Sequence, residues 1–231
     1  MKALCANHFL TRSHWTVTVL ILCVLVPRSV QAVCAQPPII QFLEKHSQKL
    51  DKDAVIPYSE SDVSTIYKEM TQPGSLRLIG VRWLAPAGGA LFVADCQARA
   101  LAALSLGAVT AFAPDIALPD GSTAIPVTYI SGTGSGVLVK AVSFVAYSDF
   151  KLKILWTHRT DENYSGDFGG CTRKSVWAQS ADHLRIDVTI KATPKEGRPK
   201  QSKARVPLVT RESYCWDGSN KRYERCHLLI R

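Results

Sequence analysis

Long apolar runs are nearly absent from this chain of 231 residues. The one that stands out is Trp15 to Val26 (WTVTVLILCVLV), apolar apart from threonine. A helix needs about 20 such residues to cross a bilayer, so no transmembrane segment is expected in the mature chain. Arg99 and Gly107 interrupt the Ala/Leu-rich stretch Ala98 to Ala113. Metal-ligand spacings are missing too. There is no C-x-x-C, and His46, His158, His183 and His227 do not pair at ligand distance, so they read as surface or hydrogen-bonded histidines. Acidic residues are the scarce charge, 19 against 28 lysines and arginines, for a formal charge of +9. That balance points away from cationic partners.

The first 32 residues read as a cleavable signal peptide. Lys2 and Arg12 form a positive start without acids, the apolar run comes next, and Pro27-Arg28 ends it. Val30-Gln31-Ala32 supplies the small residues for a cut after Ala32. The mature chain is then expected to be exported, periplasmic in a bacterium and otherwise secreted. Cys34 invites lipidation, but Val33 is not the small residue such a signal places before its cysteine. Loss of Lys2, Arg12 and Arg28 leaves a mature charge of +6 from the original +9. A basic exported protein meets an anionic envelope component or an acidic protein partner, and nucleic acid is not expected there.

Five cysteines remain after the cut: Cys34, Cys96, Cys171, Cys215 and Cys226. An odd number suits two bridges and one thiol. Cys215 and Cys226 flank a short turn and are the first expected bridge, with Cys96 and Cys171 the second.

Residues 33–74 are polar with helical spacing. Phe42, Leu43, His46 and Leu50 share one face, and Val63, Ile66, Tyr67 and Met70 share another. They predict one or two short helices packing on the β-rich remainder of the chain. From residue 75 the pattern is strands: Leu76–Leu84, Ala90–Ala94, Ala124–Ser131, Val137–Tyr147, Phe150–Thr157, His183–Lys191, Arg205–Trp216 and Lys221–Ile230. Ala98 to Ala113 fits helix or strand. The fold expected is mainly β, an antiparallel sandwich or partial barrel over 75–231.

Four local features are candidates for chemistry. Asp161, Asn163, Ser165 and Asp167 occupy alternate positions like the oxygen ligands of a calcium loop. The bidentate glutamate such a loop needs is replaced by Thr172, so a polar turn is the better reading, with calcium as the one possible cofactor. Gly166-Asp167-Phe168-Gly169-Gly170 resembles the nucleophile motif of trypsin-like serine proteases, but Phe168 has no attacking oxygen. Ser131 to Gly136 is Gly-rich yet matches neither a dinucleotide fingerprint nor a serine elbow. Lys191 to Arg205 holds Lys195, Arg198, Lys200 and Lys203, a basic segment broken by Pro194 and Pro199. No catalytic residue is assigned. These features favour an exported non-enzymatic binding protein, an inhibitor or immunity type acting on an envelope partner. A secreted hydrolase with an unrecognised site and a calcium-stabilised structural or adhesive module are the alternatives.

Overall fold

The computed structural model describes residues 36–50, 59–70, 76–83, 88–134, 137–166, 169–195 and 207–226. The chain divides into two units, Met1–Cys34 and Ala35–Arg231. The expected leader over residues 1–32 and Cys34 lie outside the described residues.

Pro37 and Pro38 precede the helix α1 (Ile39–His46), where their fixed φ suits a helix start. Phe42, Leu43 and His46 are buried on the expected face, and Leu50 is buried after a short 3-10 turn. Lys45 and His46 occupy the last turn, where positive charge complements the helix dipole. The second expected helix is a strand. Glu60–Asp62 make one 3-10 turn and lead into β1 (Val63–Glu69). Val63, Thr65, Ile66 and Tyr67 are β-branched or aromatic, types that fit a pleated, half-buried surface, and β2 offers them a ladder.

The remaining strands, among the described residues, are β2 (Leu76–Trp83), β3 (Gly88–Asp95), β4 (Ala100–Phe112), β5 (Ile116–Ala117), β6 (Thr123–Gly134), β7 (Val137–Ser148), β8 (Lys151–Gly166), β9 (Gly169–Gln179), β10 (Arg185–Lys195), β11 (Leu208–Asp217) and β12 (Arg222–Arg225). All belong to one open antiparallel sheet in which each strand pairs with the next, and β1 and β12 are its edges. The two-residue β5 stands off this path and pairs with the start of β6. Pro126 lies where β4 gives way to β5, so its missing N–H falls where the ladder is already broken.

The first strands are buried on both faces. Phe42 and Leu43 of α1 pack on Ile79, Val81 and Phe92 of the sheet, with Phe42 and Phe92 meeting edge to face at 5.1 Å. Leu78, Leu91, Val93, Val109, Val127 and Val145 fill the opposite face. Such two-sided burial explains the unbroken apolar run Ala90 to Ala94. Strand β4 pairs with β3 through Gly107 and with β6 from Ala108, settling the ambiguity over 98–113 in favour of a strand, Ala100–Phe112. The sheet curls, so β4 meets β2 and β8, and β12 returns against β8.

Cys215 and Cys226 are joined across the last hairpin, eleven residues apart. Closing a loop of that size in the unfolded chain contributes about 3 kcal/mol. Trp216 and Tyr223 pair edge to face at 5.1 Å in the same hairpin. The other expected bridge is corrected: Cys171 is a free thiol, and Cys96 is disulfide-bonded elsewhere. Cys96 follows β3 and Cys171 lies in β9, with β4, β6, β7 and β8 between them in the sheet.

Candidate functional site

Residues directly opposite in an antiparallel ladder share a face. Following the register across β7 to β12 gives the faces, with the bulge at Thr160 reversing the parity of β8: His158 shares the face of Phe144, whereas Arg159 and Glu162, opposite Ala141 and Val139, share that of Ser143. Phe144 opposes Trp156 and Val142 opposes His158. Glu162 opposes Arg173, and Tyr164 opposes Cys171. Ser175 and Trp177 oppose Ile190 and Val188, which brings in Glu212, then Tyr214 with Arg225 and Trp216 with Tyr223.

The face of Phe144 carries an apolar cluster. Phe144 lies 4.7 Å from Trp156, 4.9 Å from Trp177 and 6.2 Å from Tyr223, ring centre to ring centre. Ile186, Val188 and Ile190 of β10 close it from the side. The face of Ser143 carries a charged cluster where β8 passes its bulge. Glu162 is only 3% exposed, yet it is ionisable, so it needs partners. Arg159 Nη1 donates to its Oε1 at 2.9 Å, Arg173 Nη1 to its Oε2 at 3.2 Å, and the Tyr164 hydroxyl to Oε1 at 3.3 Å. A bulge in β8 at Thr160 carries Arg159 within reach. Each guanidinium has five N–H donors, and Arg159 and Arg173 keep large exposed fractions, 64% and 39%. Two arginines thus share one carboxylate and face solvent with donors to spare.

On the other face of β8 from Arg159 and Glu162 stands His158, 8% exposed and stacked on Trp156 at 5.7 Å with Tyr214 edge-on at 6.2 Å. The expectation of a surface or hydrogen-bonded histidine fails here, because Nε2 is buried and finds no partner among the described residues. Trp156 Nε1 and Ser175 Oγ on the same surface are in the same state. On the opposite face of the sheet the buried hydroxyls satisfy one another, Tyr129 with Ser143 at 3.1 Å and Ser143 with Thr157 at 2.7 Å. Burial lowers the His158 pKa, with Arg173 adding to the effect and Glu212 and Glu162 opposing it. Tyr214 donates to Glu212 at 2.8 Å, and burial together with that bond pushes its phenol up to about 12. Arg225 completes the line, 3.7 Å from Glu212.

The described strand residues flanking three features singled out in the sequence lie at the end of the sheet where β8 gives way to β9, four residues from Arg173. The Gly-rich segment connects β6 to β7, whose facing ends are Gly134 and Val137. Gly166 and Gly169 end β8 and start β9. The basic segment leaves β10 at Lys195, opposite Gly170, and returns at Leu208 in β11. Arg198, Lys200, Lys203 and Asp167 lie outside the described residues. The calcium geometry is corrected for the rest: Asp161, Asn163 and Ser165 belong to β8 rather than to a loop. Alternate residues of a strand are about 6.6 Å apart, so the oxygens of Asp161 and Asn163 are spread along the strand instead of converging on one ion.

Sequence reasoning missed this constellation because its residues come from β8, β9, β11 and β12, which no single motif spans. The available signal was parity. Trp156-x-His158, Arg173-x-Ser175-x-Trp177, Glu212-x-Tyr214-x-Trp216 and Tyr223-x-Arg225 each place polar and aromatic groups where a core strand places aliphatic ones. Compared with known protein families, curated proteins and solved structures, the chain matches none.

Proposed function

We propose that this chain is an exported, non-enzymatic binding protein that holds an oxyanion-bearing envelope component at the arginine end of its curled sheet. The observation that carries the reading is the pair Arg159 and Arg173, gathered by one buried carboxylate and still partly exposed. Guanidinium groups suit phosphate and carboxylate because their donors match those oxygens in pairs. The basic segment rooted at Lys195 on the same end supplies longer-range attraction, which acts on encounter more than on hold. An excess of 28 basic over 19 acidic residues agrees with an anionic target.

Sedimentation with vesicles tests the reading. The chain is expected to pellet with phosphatidylglycerol–phosphatidylcholine vesicles and to stay in solution with phosphatidylcholine alone. The double variant Arg159→Ala/Arg173→Ala should lose this capture. The variant carrying Lys195→Ser, Arg198→Ser, Lys200→Ser and Lys203→Ser should retain it with a weaker dependence on salt. Equal capture of wild type and the arginine variant would remove the proposal.

A further inference from the structure

We propose that the open edge of β11 takes up an extended acidic segment of a partner protein as an added strand. Strand β12 pairs with β11 only from Tyr214 to Asp217. Leu208 to Glu212 therefore have β10 on one side and, among the described residues, no strand on the other. Two hydrogen bonds fix which main-chain groups face the open side. Trp216 N–H donates at 2.8 Å to the carbonyl of Leu184, which leads into β10, and Cys226 N–H donates at 2.9 Å to the Ser213 carbonyl from the side of β12. Main-chain groups alternate sides along a strand, and the register of β10 with β11 runs without a shift. The N–H and carbonyl groups of Val209 and Arg211 therefore point outward, as the carbonyl of Ser213 does. That is the template an added strand requires.

Leu208 and Val209 on this edge are 64% and 56% exposed, where a protected edge is short or charged. The other edge of the sheet shows the contrast: Lys68 of β1 donates to the Ala113 carbonyl at 2.7 Å and pairs with Asp115 at 2.8 Å. Charge selects the occupant. Arg211 shares the outer face with Val209, Lys191 opposes Val209, and Lys174 opposes Lys191. All three cations are exposed and without an ion pair among the described residues. Two lysines directly opposite each other cost stability that an anion laid beside them would return. Asp187, the acid of β10 on this face, is already held by Arg185 at 3.0 Å and by the Ser213 hydroxyl at 2.6 Å. A second copy of the chain would double the cations on one face. An antiparallel strand with a carboxylate opposite Arg211 and an aliphatic side chain two residues later, opposite Val209, matches both.

The probe is the fluorescein-labelled peptide Gly-Thr-Glu-Thr-Val-Thr-Gly, with lysine in place of glutamate as its control, followed by anisotropy with the full chain. The expected result is saturable uptake of one peptide per chain, about tenfold weaker for the lysine peptide. Arg211→Glu is expected to reverse that preference. Val209→Pro removes an outward N–H that β10 does not use, and is expected to abolish uptake. Should that variant fold poorly, hydrogen exchange is read on the wild type, where the peptide must slow the amides of Val209 and Arg211. Equal binding of the two peptides, uptake that survives Val209→Pro, or unslowed amides overturns the proposal. So does dimerisation of the chain in place of peptide uptake, which makes the occupant a second copy, or uptake only after removal of residues 227–231, which makes it the chain's own end. Arg159→Ala/Arg173→Ala is expected to keep peptide uptake, so failure here leaves the reading of the arginine end untouched.

Discussion

Burial holds the His158 imidazole against Trp156 and lowers its pKa below the 6.5 of a free side chain, and His46 beneath Ala100 is lowered for the same reason. The consequence for stability has a definite sign. As pH falls through 6.5 the unfolded chain takes up these protons before the folded one does, so folding loses free energy below that point. Asp95, Asp120, Asp182 and Asp217 behave differently. Their pKa values lie below the 3.8 of a free carboxyl, so the stability they add is present above it and is lost at more acid pH. Urea denaturation is therefore expected to show a midpoint steady above neutrality that declines from about pH 6.5 downward, before any aspartate titrates. His158→Gln should remove part of that first decline and leave the acid limb in place. A midpoint that rises on acidification from neutrality would contradict the burial described.

The elements depend on close approach at the corner where β4 passes from β3 to β6. A Cβ on Gly107 would lie 1.8 Å from the Ile130 carbonyl oxygen, and one on Gly89 2.5 Å from the Gly107 oxygen. Backbone cannot yield as a side-chain tip does, so the strands must part. Gly107→Ala is expected to cost about 3 kcal/mol or more in denaturant-induced unfolding. Gly132→Ala on β6 meets nothing closer than 3.9 Å and is expected to stay within about 0.5 kcal/mol of wild type. The same sheet shows what the sequence could and could not disclose. Strands with aliphatic alternation, such as β2, β7 and β10, are legible, although Leu184 falls before β10 and is half exposed. Strand β1 imitates a helix because Val63, Ile66, Tyr67 and Met70 satisfy a helical spacing equally well, and only pairing with β2 decides between them. Strand β9 is hidden because its alternation is inverted. Its inner positions hold Arg173 and Ser175, while Val176 points outward and is 72% exposed. The candidate site is illegible for the same cause: its residues violate the pattern that makes strands recognisable.

At the scale of the whole molecule, a single antiparallel meander, β5 aside, brings strand ends distant in sequence to one edge. The ends of β6 and β7, β8 and β9, and β10 and β11 meet there, each next to a segment rich in glycine or in basic residues. Loops on a rigid β scaffold are where binding groups concentrate, and here β8 and β9 carry arginines of their own. Capture of an oxyanion at this edge requires Arg159 and Arg173 to act together as one anion site. Arginine side-chain NMR during a phosphate titration of the full chain tests this directly. The Nε–Hε signals of Arg159 and Arg173 are expected to shift in parallel and saturate at one phosphate per chain, while Arg82 and Arg185 remain unmoved. Small, unsaturating shifts spread evenly over all the arginines would contradict it.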